Sequence, residues 1–250
     1  MNRIQRTDLL RHARITAWIL FLVCLPVTSF PYFPAAVGGT ALVRPLSIYP
    51  LIVLLVLVTI PRLWKLRLPR TFLSLLPFVI IAVVSSLFSL FRGIEPGLNV
   101  TVGERVLRGL ITLGLGVSFY LTTSLTPRSL DDLKSTLRWL YAGFGIALIW
   151  GSLQAIYVVH FTKAWYRIMN NLQQYISSRR LIQNRISGMT YEPNWFAEQI
   201  TGLLLPWLLA SVLTGYTVFK WRRGWLTIEW FLLVWSVALL PLTFSRAGVL

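Results

Sequence analysis

The chain has 250 residues, 56% of them hydrophobic and only 13% charged, and its mean hydropathy is +0.67. Soluble globular enzymes carry about a quarter charged residues, and disordered chains have little apolar content, so both classes are excluded and lipid is the expected solvent for most of the protein. Lys and Arg number 24 against 8 Asp and Glu, for a formal net charge of +16. That balance alone would suit a nucleic-acid binder, but the basic residues lie in short clusters between apolar runs, where membrane topology explains them, and no nucleic-acid partner is expected.

A spanning helix needs about 20 apolar residues to cross roughly 30 Å of hydrocarbon. Seven stretches qualify, at 15–34, 44–61, 71–91, 106–125, 137–160, 195–218 and 225–243. They predict an all-α, polytopic transmembrane helix bundle forming one membrane domain over 1–250. Pro26, Pro50, Pro77 and Pro206 lie inside spans, where kinks are expected. The first span follows Arg3, Arg6, Arg11 and Arg14, the pattern of a signal peptide. No small-x-small cleavage site comes after it; the run leads into Pro31-Tyr32-Phe33-Pro34 and a second apolar stretch, so it reads as a retained helix.

A cytoplasmic N-terminus places the clusters Arg3 to Arg14, Arg62 to Arg70, Arg128 to Arg138 and Lys220 to Arg223 inside. One segment breaks the rule: Lys163, Arg167, Arg179, Arg180 and Arg185 gather on the face that should be poor in positive charge. Function is the expected reason. The single cysteine, Cys24, allows no intrachain disulfide, and with His12 and His160 as the only histidines no metal site is expected.

Three stretches stand out, all on the predicted outer side. The first is Arg185-Ile186-Ser187-Gly188-Met189-Thr190, which ends the basic loop. The second, Tyr191-Glu192-Pro193-Asn194-Trp195, opens the sixth span, with Pro giving a sharp helix start. The third, Thr243-Phe244-Ser245-Arg246-Ala247-Gly248, follows the seventh. Arg246 could simply snorkel to the head groups. Its small neighbours and the basic loop argue instead for phosphate, which a guanidinium grips with a rigid fork of donors. Glu192 could cap its helix, act in catalysis or orient an arginine. Glu198 and Glu229 lie nearer the apolar spans and could serve function or pair with arginines.

Other signals are weaker. Gly114, Gly116, Gly143 and Gly145 sit in apolar helices, where small residues allow close packing, so they are not phosphate loops. Asn99-Val100-Thr101 matches a glycosylation sequon by chance-prone spacing, and Trp64, Trp165, Trp195 and Trp221 near helix ends suit an interfacial belt. His160, at a helix end, reads as a belt residue before a proton shuttle.

The order Arg185-x-x-Gly188, then Glu192-Pro193-Asn194-Trp195 with Pro206 in the helix it opens, then Thr243-Phe244-Ser245-Arg246-Ala247-Gly248, resembles the O-antigen ligase and polymerase family of bacterial envelopes. The likeness covers about residues 170–250; the rest matches only in its pattern of helices. It implies a multi-pass glycosyltransferase of the bacterial inner membrane. Such an enzyme takes a glycan from undecaprenyl pyrophosphate and passes it to a hydroxyl of lipid A core or of a growing polysaccharide, without metal, nucleotide sugar or other cofactor. Carried over by motif, Arg185 and Arg246 would hold the pyrophosphate, with Arg179 and Arg180 of the same loop assisting, and Glu192 is the acid placed for a catalytic role. In the family's ligases the base is a histidine of a later external loop, so the resemblance implies more chain after Leu250. A transporter or flippase of an anionic lipid-linked substrate would also line its path with arginine. It should show paired repeats with interrupted helices, and no repeat is found.

Overall fold

A computed structural model describes residues 3–32, 43–65, 70–91 and 101–246. The sequon at Asn99 and the residues after Arg246 lie outside the described residues. The chain is all-α apart from one short hairpin. Its helices are α1 (Arg3–Cys24), α2 (Ile48–Leu63), α3 (Arg70–Ser89), α4 (Val102–Leu125), α5 (Leu130–Val159), α6 (Lys163–Gln173), α7 (Pro193–Thr214) and α8 (Ile228–Leu239). Antiparallel strands β1 (Arg222–Arg223) and β2 (Leu226–Thr227) turn at Gly224, whose φ of 62° suits a two-residue hairpin loop. The residues divide into two compact units, 1–18 with 51–128 and 19–50 with 129–250.

Among the described residues four helices, not seven, are long and apolar enough to cross a membrane: α3 from Thr71, α4, α5 and α7. The predicted span 15–34 fails because α1 ends at Cys24, ahead of Pro26, and the next residues become extended: Phe30 N–H donates to the Arg44 carbonyl and Arg44 N–H to that of Thr28, both at 2.8 Å. The same ladder uses the start of the predicted span 44–61, leaving α2 as a shorter apolar helix. The predicted span 225–243 is shortened in turn, since 226–227 belong to β2. Helix α7 ends at Gly215, whose φ of 64° is a left-handed cap.

Two helices widen for one cause. Leu55–Thr59 in α2 and Ile200–Leu204 in α7 are π-helical, and each precedes a proline, Pro61 and Pro206. Proline cannot donate to the previous turn, and the ladder shifts to the wider register instead.

In the first unit Thr59 and Thr122 share a buried hydrogen bond of 3.0 Å between α2 and α4. Tyr120 Oη donates to Thr71 Oγ1, and its ring stacks on Phe72, joining α4 to α3.

The second unit is built around α5. Ser129 caps it by accepting from Asp132 N–H, and Asp131 and Asp132 meet the positive end of its dipole. Its buried face runs Leu137, Tyr141, Phe144, Leu148, Gly151, Gln154, Tyr157, the three-and-four spacing of one helical stripe. Against it pack Phe196, Ile200, Leu204 and Leu208 of α7, Leu232 and Leu239 of α8, and Ile186 from the loop between α6 and α7. Close packing through small residues holds at Gly143, where a Cβ would lie 2.8 Å from Val23 Cα. It does not hold at Gly114, Gly116 or Gly145, which face open space. Gly143→Ala should therefore cost about 1–3 kcal/mol, because the obstructing atoms are backbone and cannot rotate away. The check is the melting temperature in detergent by tryptophan fluorescence, with Gly145→Ala expected to melt like the parent.

Candidate functional site

The site lies where α5 ends, α7 begins and α8 finishes. The loop 174–192 is held there by buried polar groups. Gln154, fully buried on α5, accepts Ser187 N–H and Gly188 N–H at 2.9 Å each and donates to the Gly188 carbonyl at 2.9 Å. Gln173 of α6 extends this hub by accepting from Trp150 Nε1 at 2.7 Å. Asn170 Oδ1 receives Leu181 N–H while Tyr166 Oη donates to the Leu181 carbonyl. The extended segment after α1 supports the loop's ends: Ser178 N–H donates to the Ser29 carbonyl, and Tyr191 N–H to Thr28 Oγ1. Nearly every polar group in the loop's buried part has a partner, as an apolar surround requires.

Arg185 joins the three singled-out stretches. Its Nε donates to the Thr243 carbonyl and its Nη2 to Asn194 Oδ1, both at 2.8 Å. One residue later Ile186 N–H reaches the Leu242 carbonyl at 3.0 Å. The half-buried guanidinium thus spends two N–H groups on protein, and its Nη1 carries no hydrogen bond among the described residues.

Arg179 and Glu192 form an ion pair of 2.5 Å, both half-exposed, and the Arg179 guanidinium sits 5.0 Å from the Tyr191 ring. Glu192 is the N-cap residue of α7, yet its carboxylate makes no capping bond and turns to Arg179. The carboxylate thus pairs with Arg179 instead of capping its helix. At this exposure the pair itself is worth about 0–1 kcal/mol, so it sets position more than stability.

Arg180 and Arg246 are exposed. Arg246 is presented by a tight exit from α8: Leu240–Thr243 form a 3-10 turn, and Phe244 takes φ 44°, a left-handed conformation uncommon for a bulky residue. Ser245 is then buried and Arg246 leaves the core.

The other acids lie elsewhere. Glu198 is exposed on α7. Glu229 is fully buried at the opposite end of α8, accepting from Thr217 Oγ1 and from Val218 N–H at 2.7 Å, while Arg138 donates to the Val218 carbonyl. It secures the chain before the hairpin rather than pairing with an arginine. Trp165 is likewise structural, donating to the Leu153 carbonyl at 3.0 Å.

Sequence reasoning missed Gln154, Gln173, Thr28 and Ser29. An amide within an apolar run was the available signal for Gln154, since it must find partners in the interior. No group of three or more His, Cys, Asp and Glu suited to a metal ion occurs among the described residues. No protein-family model, curated protein or solved structure matches this chain.

Proposed function

We propose that the chain acts on undecaprenyl-pyrophosphate-linked glycan at the outer face of a bacterial inner membrane, transferring it to a hydroxyl of lipid A core or of a growing polysaccharide, in the manner of the O-antigen ligase and polymerase family. The observation that carries this reading is Arg185, half-buried, fixed by two of its donors to Thr243 and Asn194, with Nη1 left for a ligand. A guanidinium held in this way is preorganised for an anion. The apolar helices supply the membrane setting the substrate needs.

In the transfer the acceptor hydroxyl oxygen would form its bond to the anomeric carbon as the bond from that carbon to the pyrophosphate oxygen breaks, and the hydroxyl proton would pass through water to the departing pyrophosphate. The electron pair leaves on pyrophosphate, and guanidinium groups already in place meet the growing charge without reorganising. Arg185 would hold the diphosphate, Arg246 would close on it from the end of α8, and Arg180 would add charge from the loop. Glu192, occupied with Arg179, would keep that guanidinium oriented.

Arg246→Lys keeps the charge but loses the fork, and in cells it should lower surface glycan about 10-fold or more. Glycan at parental levels would reduce Arg246 to a membrane anchor. Where glycan falls, the lipid-linked donor should accumulate on the outer leaflet; accumulation on the cytoplasmic leaflet would favour the flippase reading.

A further inference from the structure

Helix α6 has two faces that ask for different surroundings. Met169 and Gln173 are buried, and Trp165 and Tyr166 reach inward to Leu153 and Leu181. On one flank of its exposed side Ile168 and Leu172, four residues apart, are 51% and 47% exposed. Lys163 and Arg167, one turn apart and exposed, stand on the other flank, and Phe161, just ahead of the helix and 54% exposed, packs its ring 5.8 Å from that of Tyr166. A hollow of about 360 Å³ opens there, lined by Phe161, Lys163, Tyr166, Arg167, Asn170 and Gln183. Neither cation of the hollow forms an ion pair with an acidic side chain among the described residues.

We propose that this hollow binds the headgroup of an anionic phospholipid, with Lys163 and Arg167 on the phosphate and α6 lying in the plane of the bilayer surface. Two unneutralised cations call for an anion, and the rings of Phe161 and Tyr166 in the same hollow call for apolar chain, so a lipid satisfies both where a soluble phosphate satisfies one. The position agrees: α6 starts four residues after α5 ends, and α5 is a helix long enough to span. Asn170 and Gln183 supply amides for the hydroxyls of a glycerol headgroup. The inference rests on α5 as a spanning helix and is independent of the Arg185 reading.

The full chain, extracted in mild detergent with equal phosphatidylglycerol and phosphatidylcholine, is examined by native mass spectrometry. The parent is expected to retain a phosphatidylglycerol adduct that the Lys163→Gln/Arg167→Gln variant loses at least fivefold. A variant of equal charge loss at exposed sites elsewhere, Lys220→Gln/Arg223→Gln, should retain it. Both altered side chains are exposed, so the melting temperature should stay at the parental value, which separates lost binding from lost fold. The proposal is overturned if the first variant keeps the adduct, or if the control loses it equally. Displacement of the adduct by excess glycerol phosphate would also overturn it, since the apolar rings of the hollow would then contribute nothing.

Discussion

Gly188→Ala is expected to destabilise the second unit by about 2–5 kcal/mol and, on the proposed function, to lower surface glycan with it, from two separate costs. Gly188 has φ 55°, a left-handed conformation that an L side chain pays about 1–2 kcal/mol to adopt. A Cβ there would also lie 2.6 Å from two ring atoms of Phe196 and 2.9 Å from a third. The ring cannot retreat. Its far edge faces Gly151 on α5, where a Cβ would be only 3.2 Å away, so the phenyl group fills the gap between two glycines. Phe196 is fully buried at the start of α7, two residues after the Asn194 that accepts from Arg185, so displacing it moves the site as well as the core. Thermal melting by tryptophan fluorescence measures the total. The double variant Gly188→Ala/Phe196→Leu separates the parts: it should recover the steric cost and keep the backbone cost. A Gly188→Ala protein that melts with the parent would show that the loop tolerates a side chain and that the Phe196 contact is soft.

The helical class and the gathering of the three polar stretches were legible in the sequence, because long apolar runs interrupted by Arg, Glu, Pro and Asn leave few other arrangements. Helix ends were not. Hydropathy runs without a break from Val23 through Val27, yet the chain leaves the helix at Cys24 and pairs with Arg44. Apolarity counts side chains, whereas this boundary is set by Pro26 and by the distant backbone partner Arg44. The glycines show the same limit. Gly143 and Gly145 carry one pattern, but Gly143 alone meets a neighbouring helix, since side-chain spacing does not say which face is covered. The division into two units had no trace in composition, since apolar runs separated by basic clusters occur in both. At Glu192 the helix start was readable and the carboxylate's partner was not: Arg179 is 13 residues away in sequence, and only the folded loop brings it within reach.

Gln154→Leu should have the largest effect of any single change in the loop's support. Leucine nearly matches the shape of glutamine, so the change is electrostatic more than steric. It leaves Ser187 N–H, Gly188 N–H and the Gly188 carbonyl without partners in a buried setting. Each orphaned group costs about 1–3 kcal/mol, and since one loop movement can relieve them together the expected total is about 3–5 kcal/mol. Against an ordinary total stability of about 5–15 kcal/mol this frees the loop before it unfolds the helices. The signature is accordingly local: hydrogen exchange at Ser187 and Gly188 should accelerate about 100-fold or more, 1.4 kcal/mol being tenfold, while the α5 amides stay protected. On the proposed function surface glycan should fall with the loop, because Arg185 is two residues from Ser187. Gln173→Leu gives the comparison. Gln173 Oε1 accepts from the side chains of Trp150 and Gln154 and holds no backbone group of the loop, so its loss should cost about 1–2 kcal/mol and leave exchange at Gly188 nearly unchanged. If the two variants exchange the order, the loop is anchored through α6, and the hub assigned to Gln154 belongs to Gln173.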